Sequence, residues 1–574
     1  MKRLFQCHAA FIVIGALCLG GVFALPVHAE TPDFSVNKTF LSKQPEDTVL
    51  YLESSAFGPK RTHLAYVVAN EKGMRVMVNQ KVGSLYDHIA KGHPIFSPKQ
   101  SRVGYIADKD GKNFVVVDGT EYPGYDGACC LTFGPQGDNF SYVAQKGDKQ
   151  FVVLNGKALE KHDMIDRKRG VMFSPDGKHT AYVARNKTAD TVSVIHDGKQ
   201  GPSFDKITEI HFSPDSQKLA YIAVNGSEYF ILENSKVVLR EIDKAEALTW
   251  QPDSATFACM GIKTGDFIVI KDKKVINAGG YNVKTIFDKK KGYTPMLPKT
   301  TPPVFSPDGE RFAYTKMTGQ QYQVIVGGTA GPAFDLVSTV VFSPDSNRYA
   351  YIGINKNPYV DKQAVILDGK TGPAFQKVDL PVFSPDSKHF AYKAFTDDKW
   401  MMILDDTTPQ SPYDIVGEPV FSDNSEAFAY RAMTGKKWRI VHDGKAHASH
   451  DAVSTPYFSP GGKRLAYHAA DNNKIKMILD NQVNGPYLDV TRPYFSPDDK
   501  HAAYLAKLLP EKGQPTKAAC IVDGQQVCIF TTYMPGIKDQ IIFDNTNRFH
   551  FIASHLNQKE ELFETFLFEI TIKQ

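Results

Sequence analysis

Short hydrophobic segments rich in β-branched and aromatic residues recur along the chain, and polar, turn-forming residues separate them. Two examples are Leu219-Ala-Tyr-Ile-Ala223 and Tyr229-Phe-Ile-Leu232. Side chains of these types pack well on a pleated sheet, and short runs bounded by turn signals are typical of β-strands. The pattern therefore predicts a protein made of short antiparallel strands.

These segments belong to a repeated unit of the form Phe-Ser-Pro-Asp-(x)4-Ala-Tyr. Six copies keep both halves and begin at Phe173, Phe212, Phe305, Phe342, Phe383 and Phe495. Degenerate copies begin at Phe57, Phe96, Phe133, Trp250, Phe421, Phe458 and Phe543. This gives thirteen units, and most neighbouring copies are 37 to 41 residues apart.

Each unit carries two kinds of turn signal. In Ser-Pro-Asp, proline sets the φ angle that a type I turn needs, and the aspartate side chain can bond to the turn backbone. A second signal follows as Asp-Gly or Asn-Gly, for example at Asp118-Gly119 and Asn155-Gly156, and such pairs suit tight hairpins because both residues adopt positive φ. Two turns and the loop between them predict four strands per unit.

Four-stranded units that repeat at about forty residues are typical of β-propeller blades, because one blade is too small to bury its faces alone. The Phe-Ser-Pro-Asp and Ala-Tyr pattern resembles the TolB-like, WD-type propeller repeats of bacteria, from Phe57 to the C-terminus. The chain lacks the Gly-His and Trp-Asp signatures of eukaryotic WD repeats and shows no separate N-terminal α/β domain. We therefore predict an all-β fold of tandem β-propellers.

Thirteen units exceed the four to eight blades of an ordinary ring, so we expect two propellers. The longest interval between copies, from Trp250 to Phe305, contains Gly279-Gly280 and a Lys- and Pro-rich stretch. We expect an N-terminal propeller over 30–280, a linker or long loop over 281–303 and a C-terminal propeller over 304–574, with six and seven blades. A division into seven and six stays open, because residues 36–54 also contain strand-like residues that could complete a blade or close a ring.

The resemblance implies that the first strand of each unit is innermost and that both repeated turns lie on one face. The opposite face then carries the loops between second and third strands, which vary in sequence. Loops on a rigid scaffold often carry recognition. We therefore expect partner-binding residues in these loops, with Asn186, Asn357, Tyr359 and Lys512 as candidates.

The N-terminus has the pattern of a secretory signal. Lys2 and Arg3 precede an apolar stretch from Ala9 to Leu25, and Val27-His28-Ala29 suits a cleavage site. We predict a signal peptide over 1–29, an uncleaved N-terminal anchor being the alternative. No later segment is long and apolar enough to span a bilayer. Cleavage would yield a periplasmic or secreted bacterial protein without a stable transmembrane anchor.

The charge of the chain does not point to nucleic acid. Without Lys2 and Arg3, 65 basic residues stand against 63 acidic ones, whereas a nucleic-acid binder normally shows a concentrated basic footprint. We therefore expect no nucleic-acid partner.

Five cysteines follow the predicted signal: Cys129, Cys130, Cys259, Cys520 and Cys528. Cys520 and Cys528 are equidistant from Gly524, so a hairpin that turns there would set them opposite each other. Export permits disulfides, and a cross-strand disulfide and two buried thiols remain alternative interpretations. At the adjacent Cys129-Cys130 we expect free thiols, because bridging them would distort the peptide.

No motif of a known catalytic centre occurs: there is no Gly-x-Ser-x-Gly, no phosphate-binding glycine motif and no His-Glu-x-x-His. The repeated aspartates belong to turns. The segment His447-Ala-Ser-His450-Asp451 offers metal-ligand types, but His450 stands where other units place an aromatic residue. We expect no catalytic residues, no cofactor and no metal ligands.

The sequence thus favours an exported scaffold that binds a protein, peptide or envelope polymer through its loop-rich face or axial opening. A propeller enzyme, a hydrolase or lyase acting on a saccharide or lactone in the axial channel, is the main alternative. A purely structural envelope component is a third.

Overall fold

The computed structural model describes residues 33–280, 285–288, 292–295, 301–356, 361–405, 412–512, 516–532, 541–557 and 562–573. Within these ranges every regular element is a β-strand. None of the described segments is a helix with the length and hydrophobicity that a membrane span requires. The strands form thirteen small antiparallel blades arranged in a ring, which confirms the predicted all-β propeller fold and the thirteen repeats. The predicted signal peptide, 1–29, lies outside the described residues.

The blades are numbered 1 to 13 in the chain order of their first strands. The first strands, some in two pieces, are Val49–Phe57, His88–Ile89 with Ile95–Phe96, Gly127–Phe133, Met164–Ile165 with Met172–Phe173, Lys206–Phe212, Lys244–Trp250, Val304–Phe305, Leu336–Val337 with Val341–Phe342, Lys377–Val378 with Val382–Phe383, Ile415–Val416 with Val420–Phe421, Ala452–Val453 with Tyr457–Phe458, Asp489–Val490 with Tyr494–Phe495, and Ile541–Phe543. The second strands are Leu64–Asn70, Val103–Lys109, Phe140–Lys146, Thr180–Asn186, Leu219–Asn225, Phe257–Lys263, Phe312–Thr318, Tyr349–Asn355, Phe390–Thr396, Phe428–Thr434, Leu465–Asp471, Ala502–Lys507 and Arg548–Asn557. The third strands are Gly73–Val78, Lys112–Val117, Lys149–Leu154, Thr191–His196, Glu228–Glu233, Asp266–Lys271, Gln321–Val326, Lys362–Leu367, Lys399–Leu404, Lys437–His442, Lys474–Leu479, Ala518–Val522 and Leu562–Ile572. The fourth strands of blades 1 to 8 and 10 to 12 are Lys81–Val82, Thr120–Glu121, Lys157–His162, Lys199–Phe204, Lys236–Ile242, Lys274–Gly280, Thr329–Phe334, Lys370–Phe375, Lys445–Ala446, Gln482–Tyr487 and Gln525–Phe530.

The N-terminal strand Phe34–Lys43 completes blade 13. It pairs antiparallel with Leu562–Ile572, and the sheet order places it at the outer edge of that blade. One blade is therefore built from both ends of the described chain. The expectation that residues near the start of the chain could complete a blade is confirmed by this pairing.

A hydrophobic cluster joins every pair of neighbouring blades. Phe267 of blade 6 packs with Phe305 and Phe312 of blade 7, so the core continues past the longest interval between repeats. Leu41 and Ile552 of blade 13 pack against Phe57 of blade 1, which closes the ring.

The division into propellers of six and seven blades, with the bounds 30–280, 281–303 and 304–574, stays a prediction. Two short strands, Thr285–Asp288 and Gly292–Pro295, pair with each other inside the predicted linker.

The repeated Ala-Tyr pair explains this packing. Tyr182, Tyr221 and Tyr351 lie on second strands and are almost wholly buried, and the alanines that precede them are fully buried. A small residue beside a large one lets adjacent sheets approach closely, and burying each aromatic side chain contributes about 1.5–3 kcal/mol. The aromatic residue of the Gly-Pro-x-Phe segments serves the same interface, because Phe204 of blade 4 packs with the core of blade 5.

Candidate functional site

A serine and an aspartate hold the turn between the first and second strands. In blade 4 the Ser174 hydroxyl donates to Asp176 Oδ1 at 2.6 Å and accepts from the His179 amide at 3.0 Å. The Lys178 amide donates to the same aspartate oxygen at 3.0 Å. These hydrogen bonds, chiefly the one from Ser174, lower the pKa of Asp176 to about 2. The Ser-to-Asp bond recurs at Ser213–Asp215, Ser306–Asp308, Ser343–Asp345, Ser384–Asp386 and Ser496–Asp498.

A second hydrogen bond joins this turn to the next blade. The Asp176 amide donates to Ser216 Oγ of blade 5 at 2.9 Å. Ser216 is only 2% exposed and has a φ of 69°. The same bond runs from Asp215 to Ser254, from Asp308 to Ser346, from Asp345 to Ser387 and from Asp386 to Ser425. The repeated aspartates thus serve the turn and the blade interface.

The Asp-Gly turn between the third and fourth strands lies on the same face. Asp197 Oδ1 accepts the amide of Thr180, the residue that follows the first turn, at 2.8 Å. Asp197 and Gly198 have φ values of 48° and 73°, as a tight primed hairpin requires. Because both repeated turns meet here, we call this side of the ring the turn face and the opposite side the loop face.

Loop length separates the two faces. On the turn face, the first turns of blades 1 to 12 all have six residues, and the eleven described Asp-Gly-type turns all have two. On the loop face, the connections between second and third strands range from two residues in blade 2 to ten in blade 12. By the bounds of their flanking strands, the longer connections are 187–190, 356–361, 508–517 and 558–561, in blades 4, 8, 12 and 13, and residues 357–360, 513–515 and 558–561 lie outside the described part of the chain.

The candidate binding residues lie on the loop face where the structure describes them. Asn186 is exposed at the end of its strand, and its Oδ1 accepts the amides of Thr188 and Ala189 at 3.0 Å, so this side chain shapes the loop. Lys512 is exposed within 508–517. Asn357 and Tyr359 lie outside the described residues. Partner binding by all four stays a prediction.

The loop face also carries a series of aspartate–lysine pairs that the sequence did not predict. Asp126, at the entry to blade 3, accepts the Gly147 amide of its own blade at 2.7 Å and pairs with Lys112 of blade 2 at 2.5 Å. Comparable lysine pairs occur at Lys149–Asp163, Lys399–Asp414 and Lys437–Asp451. The sequence signal is the aspartate that directly follows the aromatic or histidine residue at the end of a blade, as in Tyr125-Asp126.

The structure gives the residues of the His447-to-Asp451 segment separate partners. The ring of His447 packs edge-on against Tyr467, with ring centroids 5.9 Å apart. His450 is buried, and its Nδ1 lies 2.8 Å from Asp471 Oδ2. Asp451 belongs to the aspartate–lysine series just described.

Cys520 and Cys528 lie directly opposite each other on the third and fourth strands of blade 12. Both thiols are free, and burial raises the pKa of Cys520. A disulfide between them stays a prediction. Cys129 and Cys130 are also free, with their sulfur atoms 2.8 Å apart.

A cavity of about 590 Å³ lies between blades 1 and 2, lined by Asn79, Tyr105 and Asp118 among others. Asn79 Oδ1 and Asp118 Oδ1 accept the backbone amides of Leu64 and Val103. These two polar groups therefore already serve their own turns.

No protein-family profile matches the chain, and no curated protein matches its sequence. Among solved structures, TolB from Acinetobacter baumannii is 14% identical over 46% of this chain and 79% of its own, with a TM-score of 0.20. The β-propeller domain of the Trilobed protease from Pyrococcus furiosus is 14% identical over 56% of this chain and 94% of its own, also with a TM-score of 0.20. Dipeptidyl peptidase 4 from Porphyromonas gingivalis is 10% identical over 60% of this chain and 65% of its own, with a TM-score of 0.27. The WD-type assignment of the repeats stays a prediction.

Proposed function

We propose that this protein is an exported bacterial binding scaffold rather than an enzyme, and that its loop face engages a protein, a peptide or a cell-envelope polymer. The supporting observation is the contrast in loop length between the faces. Constant turns fix the scaffold, and variation is concentrated where recognition usually resides.

The spacing of the longer loops sharpens the proposal. Loops 187–190, 356–361 and 508–517 belong to blades 4, 8 and 12, so three blades lie between one and the next along the chain, and the further connection 558–561 belongs to blade 13. Such loops stand apart around the ring. A partner large enough to lie across the face, such as a folded protein or a polymer, would meet all three, whereas a small molecule would meet one.

The N-terminal pattern supports export. Cleavage after Ala29 would remove the apolar stretch and leave the strand Phe34–Lys43, which completes blade 13, whole. Export with cleavage after Ala29 is therefore compatible with closure of the ring, because the mature protein keeps this strand.

The test is mild crosslinking in the native cell envelope, followed by mass spectrometry of the captured partners. The test variant combines Lys187→Glu and Lys512→Glu, which reverse charge on two long loops and spare the structural side chain of Asn186. The control variant combines Lys370→Glu and Lys445→Glu, which make the same change at exposed positions beside Asp-Gly turns. Both variants alter the net charge equally.

We expect the wild type and the control to capture the same partner and the loop-face variant to lose it. Capture that persists in the loop-face variant, or that disappears only in the control, contradicts the proposed face. If neither the wild type nor either variant captures a macromolecule, the scaffold proposal fails. Saccharides and lactones then become the ligands to test.

A further inference from the structure

Two imidazoles and one carboxylate converge on the turn face of blade 4. His179 Nδ1 lies 2.7 Å from Asp197 Oδ2, and His196 Nε2 lies 3.7 Å from the same oxygen. The three ligand atoms all lie within 4.8 Å of one another. His179 precedes the second strand, and His196 ends the third, so the hairpin pairing brings them together.

Other blades show which part of this group the fold requires. In blade 9 His389 pairs with Asp405 at 2.6 Å, and in blade 12 His501 pairs with Asp523 at 2.7 Å. A histidine–aspartate pair is therefore a repeated part of the turn. The position of His196, however, is Leu404 in blade 9 and Val522 in blade 12. The second imidazole is thus an addition that the turn does not need.

The surroundings suit metal binding. Asp197 Oδ1 is held by the Thr180 amide, which leaves Oδ2 directed at the two rings. The His196 ring packs edge-on against Phe212 of blade 5, with centroids 5.7 Å apart. A separation of 3.7 Å is too long for a hydrogen bond, so Nε2 is not bonded to that carboxylate oxygen.

We propose that His179, His196 and Asp197 bind a divalent transition-metal ion of the zinc class through Nδ1, Nε2 and Oδ2. Imidazole with carboxylate suits zinc and its neighbours in the first transition row, whereas magnesium and calcium prefer oxygen ligands alone. Around a tetrahedral ion at about 2.0–2.1 Å, donor atoms stand roughly 3.4 Å apart. The 2.7 and 3.7 Å separations lie on either side of that value, and the two ring nitrogens lie within 4.8 Å of each other, so metal binding requires side-chain rotations that bring the three donors to equal spacing. Coordination replaces the hydrogen bond between His179 and Asp197.

Three protein ligands leave one coordination position of a tetrahedral ion for water or an external donor. The exposed Asp197 carboxylate places this position at the surface of the turn face. The site is independent of the loop face proposed to bind the partner, because it lies on the other side of the ring.

The chain itself supplies conservative variants. His196→Leu introduces the residue found at this position in blade 9, Leu404. Asp197→Asn copies Asn155 of blade 3, whose Oδ1 accepts the Phe140 amide as Asp197 accepts that of Thr180. His389→Leu is the matched control, because it removes one imidazole from a histidine–aspartate pair that has no third candidate ligand among the described residues. His442→Leu tests the other close pair of rings, in which His442 and His447 lie 6.0 Å apart.

Zinc binding to the untagged, chelator-treated protein is measured by isothermal titration calorimetry, with visible absorption of Co²⁺ as a second readout of ligand type. We expect the wild type to bind one more zinc ion than His196→Leu, or to bind it at least about tenfold more tightly. Asp197→Asn should behave like His196→Leu, and the His389→Leu and His442→Leu variants like the wild type. Amide exchange of Thr191–His196 reports whether each variant keeps its hairpin, and if His196→Leu loses it, Asp197→Asn decides the result.

The proposal is overturned if the wild type binds no zinc. It is also overturned if His196→Leu and Asp197→Asn bind as much zinc with the same affinity. Loss of binding in His442→Leu alone would assign the metal to the other pair of rings and equally reject blade 4.

Discussion

The hydrogen bond between Asp176 and Ser216 offers a direct test of how neighbouring blades are joined. Ser216→Ala removes the hydroxyl that accepts the Asp176 amide at 2.9 Å and that also helps to lower the pKa of the Asp176 carboxyl group. Alanine adopts the same backbone angles at a similar cost. Ser216→Gly removes the same hydroxyl but also suits the left-handed φ of 69°. The chain already has glycine at this position in blades 4 and 7, as Gly177 and Gly309.

The expected magnitude follows from burial. Leaving a donor without its partner costs about 1–3 kcal/mol, and Asp176 is only half-buried, so water can replace part of the bond. We therefore expect Ser216→Ala to cost about 1 kcal/mol, which corresponds to roughly fivefold more frequent opening. Glycine avoids about 1 kcal/mol of left-handed strain, so Ser216→Gly should reduce stability less than Ser216→Ala.

Amide hydrogen exchange resolved at the Asp176 amide measures this opening directly. The Asp215 amide, which bonds to Ser254 one blade further on, serves as an internal control and should exchange at an unchanged rate. Both variants should accelerate exchange at Asp176. Unchanged exchange there in Ser216→Ala would refute the claim that this hydroxyl holds blades 4 and 5 together.

Two further predictions concern acid and ring closure. Because the pKa of Asp176 is lowered to about 2 in the folded protein, the ionised carboxylate stabilises the fold at pH values above about 3.9, the pKa of aspartate in the unfolded chain. This stabilisation is lost as the pH falls from there towards 2. The difference in urea midpoint between the wild type and Asp176→Asn, which copies Asn424 of blade 10, should therefore shrink across that interval, and a constant difference would contradict this account. Removing the chain through residue 43 should expose the outer edge of Leu562–Ile572, accelerate exchange of its amides and promote self-association, whereas fully protected amides there would show that the first strand does not close blade 13.

The blades were predictable because their determinants are local. Ser-Pro-Asp and Asp-Gly specify turns within a few residues, so thirteen copies predict thirteen blades. The opposite placement of Cys520 and Cys528 followed from the same logic, since a hairpin at Gly524 fixes the register of both strands. The residues of the turns therefore determine most of the strand arrangement within each blade.

Contacts between blades were not predictable in the same way. The Asp126–Lys112 pair joins blades 2 and 3, and its aspartate appears in the sequence only as a residue after an aromatic one. The strand Phe34–Lys43 pairs with Leu562–Ile572 at the far end of the chain, and no turn signal connects them. His179 and His196 lie in different motifs of one blade and meet only through the register of the second and third strands.

A repeat of this kind limits where function can arise. The aspartates of the Ser-Pro-Asp turns already accept a hydrogen bond within their own turns, and the amides of several bond to the next blade, so these turns serve structure in every such blade. The connections between second and third strands in blades 4, 8 and 12 vary in length, whereas the turns on the opposite face do not. His196 replaces a residue such as Leu404 beside a turn that is complete without it. In a repeat protein, therefore, a blade that departs from its neighbours outside the shared turn motif is a better guide to chemistry than the motif that all blades share.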